Sequence, residues 1–163
     1  MNAQNVTPVM LTARLESKPS HLLVGLRSRH PCNDKSGIPV QWSGLVPRIE
    51  GIAHRVSEVA YGVCTNSTQS GFDYFCGVEV PLESAIPPGL VTLTLPAQHY
   101  AVFTHQGRVE TIVDTVCQIF NHWLPSSGWV LAGDVDLVER YSADFDPVSN
   151  SGDVQIWIPI REA

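Results

Sequence analysis

The sequence has few positive charges and no long apolar run. Its 163 residues include 10 lysines and arginines against 16 acids, a net charge of −6, so it lacks an electrostatic footprint for nucleic acid or anionic lipid. No apolar segment approaches the roughly 18 residues of a membrane span. The first residues show neither a basic nor an apolar leader region. We therefore expect a soluble, cytoplasmic domain that suits cationic partners and binds neither membranes nor nucleic acid directly.

Motifs for metal, nucleotide and nucleophilic chemistry are also missing. The sequence contains no P-loop, no GxGxxG and no GxSxG. Of the six histidines, only His99 and His105 could share a strand face, and six residues along a strand span about 20 Å, too far for one ion. The four cysteines form no CxxC pair, which is typical of a reduced chain; they are Cys32, Cys64, Cys76 and Cys117. We expect no metal, no cofactor and no catalytic residue.

A weak internal repeat organises the chain at an offset of 78 residues without gaps. His21–Val24 recurs as His99–Val102, and Val78–Pro81 recurs as Ile156–Pro159. Each half has the pattern strand, helix, strand, strand. The repeat predicts one domain over residues 1–163, with units at about 14–81 and 92–159. The predicted fold is α+β: duplicated βαββ units form an antiparallel sheet, with helices on one face and a ligand cleft at the pseudo-twofold axis.

Periodicity places the individual elements. Alternating branched and apolar residues predict strands at 22–27, 59–65, 72–80, 90–95, 99–104, 136–141 and 154–160. Apolar residues at helical spacing after Gly107 predict a helix that ends at Pro125 and Gly128. A first helix is expected after Gly37, with an interruption and a second start at Pro47 that continues to Val56.

Strand alternation draws attention to Glu139. Side chains two apart share a face of a strand, so Glu139 lies between Leu137 and Tyr141. Two readings stay open: a carboxylate at a sheet edge that is solvated or paired with an arginine, or a partly buried acid in an aromatic cleft that binds a cation. In the 78-residue register Tyr61 corresponds to Glu139, and Glu79 corresponds to Trp157. A pseudo-twofold axis is expected to bring these four side chains toward one surface.

Aromatic residues complete the candidate site, because their ring faces attract cations. Phe75 has the parity of Glu79, Phe103 lies in a strand of the second half, and Trp42 lies on the irregular first helix. The predicted ligand-binding set, listed together, is Glu139, Trp42, Tyr61, Phe75, Phe103 and Trp157.

Several runs resemble the GyrI-like effector-binding domain, in order and over roughly residues 14–160. They are Glu58–Val63, Tyr74–Val80, Tyr100–Gly107, Trp123–Pro125, Glu139–Tyr141 and Ile156–Pro159. The resemblance implies two βαββ units about a pseudo-dyad and a ligand sensor related to AraC-type and MerR-type transcription regulators. It further implies that lipophilic cations bind in an aromatic cleft, against an acid that Glu139 matches and an aromatic residue that Trp157 matches.

The sequence departs from this pattern in two places. Gln155 stands where the family often carries a second acid, which favours monocations over dications. Only about a dozen residues precede the first repeat unit, which begins at about residue 14, so we expect a free-standing member without a DNA-binding domain, similar to those on mobile gene cassettes. Two alternatives to a binding module remain. One is a hydrolase of strained electrophiles, with Glu139 as general base and Tyr61 or Tyr141 positioning the substrate. The other is a gyrase-inhibitor-like module with a protein partner, such as a regulator or a second copy.

Overall fold

The structure, a computed structural model, describes residues 11–105, 107–146 and 152–163. Gln106, inside one of the family-like runs, and residues 147–151, inside the loop before the last predicted strand, lie outside the described residues. The strands are β1 Arg14–Lys18, β2 His21–Pro31, β3 Ala60–Thr65, β4 Gly71–Val80, β5 Val91–Leu95, β6 Gln98–His105, β7 Trp129–Leu131, β8 Val135–Tyr141 and β9 Val154–Glu162. The helices are α1 Gly37–Ile49, α2 Ile112–Gln118 and α3 Leu124–Ser127.

The strands form one nine-stranded sheet in the order β1-β6-β9-β8-β3-β4-β2-β5, with β7 paired to β9. Every strand pair is antiparallel. The predicted α+β class with a largely antiparallel sheet is therefore confirmed. The chain passes twice through strand, helix, strand, strand: first as β2, α1, β3 and β4, then as β6, α2, β8 and β9. The two passes meet where β3 pairs with β8.

The helices cover one face of the sheet. Leu45 of α1 packs in a buried cluster with Tyr74, Cys76 and Val78 of β4. Ile112 of α2 packs in a second cluster with residues of β6 and β9. Cys64 of β3 contacts both clusters, so it lies at the seam between them. The residues that alternate with these form a third cluster on the opposite face, which includes Tyr61, Phe75 and Trp157.

Both helical segments differ from the prediction. The first is continuous through Pro47 and ends at Ile49, so the expected second helical start that reaches Val56 is wrong. The second begins as a short 3₁₀ turn and contains a π turn at Ile119–Trp123, in which the Leu124 N–H donates to the Ile119 carbonyl. It then continues past Pro125 and ends at Gly128, whose φ of 81° supplies a left-handed cap. In the described part of the chain, no helix combines the length and apolar character needed to cross a membrane.

Candidate functional site

Glu139 lies on the helix-covered face of β8, at the seam between the two helix-side clusters. It pairs across the strands with Gly62 of β3 on one side and Ile156 of β9 on the other. The side chain is only partly exposed. Strand pairing therefore fixes this carboxylate near the middle of the sheet, where the two passes of the chain meet. A solvated position at a sheet edge, one of the two readings of the sequence, does not describe it.

Two tyrosines hold the Glu139 carboxylate through the same oxygen. The Tyr74 hydroxyl donates to Oε1 at 2.8 Å, and the Tyr141 hydroxyl donates to Oε1 at 2.9 Å. The indole N–H of Trp42 donates to the Tyr74 hydroxyl oxygen at 3.1 Å. The Trp42 and Tyr141 rings meet edge to face, with centroids 5.5 Å apart. Both tyrosine donors therefore use Oε1, and neither contacts Oε2.

Gly62 makes room for this arrangement. A Cβ atom at Gly62 would overlap the Tyr74 hydroxyl and lie 2.6 Å from Glu139 Oε1, closer than atoms of ordinary side chains approach. A side chain at this position would therefore displace either the phenol or the carboxylate. Since Gly62 and Glu139 pair directly across β3 and β8, the missing side chain on one strand creates the space for the acid on the other.

Loss of water around the carboxylate dominates its titration. Desolvation raises the pKa of Glu139 above its ordinary value, while the hydroxyls of Tyr74 and Tyr141 and the charge of Lys35 oppose that rise. The pKa of each of the two phenols is raised well above its ordinary value, first by burial and then by the nearby Glu139 charge. Both hydroxyls therefore keep their protons and act as donors at neutral pH.

A cavity of about 310 Å³ opens on the same face of the sheet, farther along β3 and β8 from Glu139. It is lined by Cys32, Lys35, Cys64, Ser67, Phe72, Phe120, Asp136 and Leu137. Cys64 and Leu137 pair across β3 and β8, two residues along from the Gly62–Glu139 pair. The cavity therefore lies on the helix-covered face, roughly 7 Å along the strands from Glu139. We call the surface that runs from Glu139 to this cavity the groove. Its walls are mainly apolar and aromatic, as is common for sites that bind small organic molecules.

The structure divides the six predicted site residues between two faces of the sheet. Trp42 joins Glu139 through Tyr74. Phe103 shares their face but lies two strands away in the same row of the sheet, against Trp123 at 5.0 Å between ring centroids. The other three, Tyr61, Phe75 and Trp157, belong to the cluster on the opposite face. The expected gathering of all six around one carboxylate is thus corrected to Glu139 and Trp42.

The opposite-face residues form a packed aromatic cluster of their own. The Trp157 ring lies 5.8 Å from Tyr61 and 5.4 Å from Tyr100, measured between centroids. The chain's own Lys18 places its ammonium 4.5 Å from the centroid of the Trp157 ring. Glu79 belongs to this side as well and contacts His21 at 2.9 Å. Three of the four residues that the repeat relates therefore do lie near one another, without Glu139.

Sequence reasoning missed Tyr74 as a site residue and treated Tyr141 only as part of the hydrolase alternative. The 78-residue register holds for β4 and β9, where Val78 and Ile156 both face the helices. It fails for β3 and β8, because Tyr61 and Glu139 face opposite sides. A slip of one residue moves a side chain to the other face. The pattern that could have identified Tyr74 is the alternation within β4, because neighbouring residues of a strand face opposite sides and Tyr74 therefore faces away from Phe75.

The chain belongs to the GyrI-like small molecule binding domain family, whose profile matches residues 12–161. Its relatives include the transcriptional regulator BrlR of Pseudomonas aeruginosa, to which it is 33% identical over 150 residues. The match covers 91% of this chain but only 55% of BrlR, so the chain spans about half the length of that regulator.

Two solved structures share the fold at low sequence identity. The structure of SAV2435 bound to tetraphenylphosphonium superposes with a TM-score of 0.70 at 20% identity, covering 92% of this chain and 94% of that one. An integron cassette protein of Vibrio cholerae has a TM-score of 0.61 at 19% identity, covering 91% of this chain and 95% of that one. The fold and the family together define a ligand-binding domain related to transcription regulators.

Proposed function

We propose that this domain binds amphipathic aromatic cations, with Glu139 as the carboxylate that pairs with the positive charge. The observation that carries the proposal is the set of three aromatic side chains, Trp42, Tyr74 and Tyr141, arranged around one partly exposed acid. The ligand of SAV2435 is a lipophilic aromatic cation, and the groove here has the charge and the aromatic surface that suit such a molecule.

The physical terms favour a monocation. A carboxylate in a site of reduced dielectric attracts a nearby positive charge far more strongly than one in bulk water. Aromatic ring faces add about 0.5–2 kcal/mol each, depending on how completely water is removed. Gln155 lies on the opposite face of the sheet, where its side-chain oxygen accepts a hydrogen bond from the Trp157 indole at 2.9 Å, so it adds no charge beside Glu139. A single positive centre on a flat aromatic body is therefore the ligand that this groove fits best.

We infer a non-enzymatic role, as a sensor or a sequestering module. The hydrolase alternative requires Glu139 to accept a proton from a positioned water, and the two phenol hydrogen bonds oppose protonation at Oε1, although desolvation raises the pKa of the carboxyl group as a whole. Binding needs only the charge that these hydrogen bonds preserve. With a net charge of −6, direct binding to nucleic acid has no electrostatic support.

The test uses two ions of the same shape and opposite charge, tetraphenylphosphonium and tetraphenylborate. Trp42 lies in the proposed site, so quenching of tryptophan fluorescence reports occupancy. We expect saturable quenching by the cation alone, and at least tenfold weaker cation binding in Glu139→Gln, about 1.4 kcal/mol.

Glu79→Gln is the matched control, because it removes a carboxylate from the opposite face of the sheet. It is expected to bind the cation as wild type does. Equal affinity for the two ions, or undiminished cation binding by Glu139→Gln, would show that charge pairing at Glu139 is not the mechanism.

A further inference from the structure

We propose that the site prefers zwitterionic aromatic ligands to simple aromatic cations, with the cationic end at Glu139 and an anionic group at Lys35. This inference rests on the proposed function and specifies its ligand class. The feature behind it is a separation of charge along the groove, negative beside the Trp42–Tyr74–Tyr141 cluster and positive at the Lys35 side of the cavity.

Lys35 contributes the positive charge of the cavity. Among the described residues that line it, no other carries a cation. Lys35 precedes α1, and its ammonium lies 5.9 Å from the centroid of the Phe72 ring, on the cavity wall. Its charge also reaches inward, since it opposes the rise in the pKa of Glu139 and of the Cys64 thiol. A ligand in the groove therefore interacts with both charges.

The carboxylates nearest to Lys35 along the chain and in the cavity have other partners. Asp34 accepts hydrogen bonds from the hydroxyl and the N–H of Ser36, at 2.6 and 3.0 Å. Asp136 accepts one from the Ser67 hydroxyl at 2.7 Å. None of the ion pairs formed among the described residues involves Lys35. Asp136 keeps its negative charge on the cavity wall, but neither acid forms an ion pair with Lys35, so the ammonium can pair with an anionic group on a ligand.

Apart from Lys35, Asp136 and Ser67, the cavity wall is apolar or formed by cysteines. Leu137, Phe72 and Phe120 line the cavity, and Leu137 is two residues from Glu139 on β8. A bare cation placed here gains attraction from Glu139 but is opposed by Lys35. A ligand with an aromatic body and an anionic group at its far end gains attraction from both. Lys35 would in this way select between ligands that Glu139 alone accepts.

The experiment compares rhodamine 123 with rhodamine 110, which share one cationic xanthene body. Rhodamine 123 is a methyl ester and carries a net positive charge, whereas rhodamine 110 has the free carboxylate and is a zwitterion. By dye fluorescence anisotropy at pH 7.5, we expect wild type to bind rhodamine 110 at least fivefold more tightly. Lys35→Gln should abolish this preference, and Lys35→Glu should reverse it in favour of rhodamine 123.

Lys18→Gln is the control, because Lys18 belongs to the opposite face of the sheet, over Trp157; it should keep the wild-type ratio. Lys35 is exposed, so we expect its variants to fold, and circular dichroism checks that they do. If wild type binds neither dye nor tetraphenylphosphonium, the proposed function itself is wrong. If rhodamine 123 binds as tightly as rhodamine 110, or Lys35→Gln leaves the ratio unchanged, only the preference for zwitterions is overturned.

Discussion

A carboxylate that loses part of its hydration is less stable in its charged form unless neighbouring groups replace the hydrogen bonds of the lost water. At Glu139 the replacement is incomplete: two phenol hydrogen bonds converge on Oε1, yet desolvation still holds the pKa above its ordinary value. The folded protein therefore carries an acid that it would hold more easily in protonated form. A bound cation at Oε2 would complete the compensation, which is why such a residue suits binding better than stability.

The incompletely compensated desolvation of Glu139 predicts that Glu139→Gln increases the stability of the protein, by an amount that depends on pH. Because the folded-state pKa is raised, the acid contributes stability at low pH and loses that contribution as pH rises through the raised pKa. Without ligand at pH 7, the variant should unfold at higher urea concentration than wild type. The difference should shrink as pH falls toward the ordinary glutamate range near 4.3.

Urea denaturation at several pH values measures this difference, and exposed Glu83→Gln controls for loss of a surface carboxylate. A gain for Glu139→Gln that stays constant with pH, or a loss at pH 7, would contradict the account. Cation binding should depend on pH for the same reason. The affinity for the cation should fall as pH is lowered and Glu139 takes up its proton.

At the scale of elements, a chain of side-chain hydrogen bonds connects α1 to the central strands. The Trp42 indole of α1 donates to Tyr74 of β4, and Tyr74 donates to Glu139 of β8. Gln41 of α1 forms a second polar link, since its side-chain amide donates to the backbone carbonyls of Leu26 and Tyr74, and apolar contacts around Leu45 complete the packing. The position of α1 is therefore coupled to the acid that would hold the ligand, through hydrogen bonds that a ligand at Glu139 can alter.

Trp42→Phe tests this connection, since it retains an aromatic ring near Tyr141 and removes the N–H donor. We expect a loss of about 0.5–1.5 kcal/mol in stability, the usual worth of one hydrogen bond. We also expect amide hydrogen exchange, measured by mass spectrometry, to become faster than in wild type in α1 and to change less in the strands. Val40→Ala, at a site on α1 that is 70% exposed, should leave exchange nearly unchanged. Uniform change across the fold would contradict a local tether.

Sequence patterns predicted elements better than the relations between them. Alternation within a strand is local, so seven strands and the face of Glu139 relative to Leu137 could be read directly. The partner strands could not, because the pairing of β3 with β8 shifts register between Cys64 and Thr65. Strand β7 has only three residues, and β1 is mostly charged or polar, so neither shows an apolar alternation. The π turn before Pro125 likewise follows from a local conflict between a proline and the helix, which periodicity does not show.

For the molecule as a whole, the two faces of the sheet differ in what their aromatic residues contact. The helix-covered face carries the groove with Glu139, and the other face carries the packed cluster around Trp157. Because side chains alternate, a strand such as β9 serves both faces with neighbouring residues: Ile156 packs under the helices and Trp157 on the other side. Aromatic content alone therefore does not distinguish a binding surface from a core.

This division predicts that Trp157 contributes mainly to stability and Trp42 mainly to cation binding. Trp157 is 2% exposed and packed among aromatic rings, so Trp157→Ala should lower the free energy of unfolding by about 3–5 kcal/mol. Cation affinity of the molecules that remain folded should change by less than about twofold, because the substitution lies on the far side of the sheet from Glu139. Trp42→Ala should show the opposite profile, with weaker cation binding and a smaller loss of stability.

Both variants can be titrated with tetraphenylphosphonium by calorimetry at a temperature where each is folded, with urea denaturation run in parallel. Calorimetry avoids dependence on either tryptophan as the reporter. If Trp157→Ala weakened binding as much as Trp42→Ala at equal folded fraction, the two faces would not act separately, and the sheet would transmit changes from one to the other. If it changes stability alone, the cluster around Trp157 is the support on which the groove is built, and ligand recognition belongs to the helix-covered face.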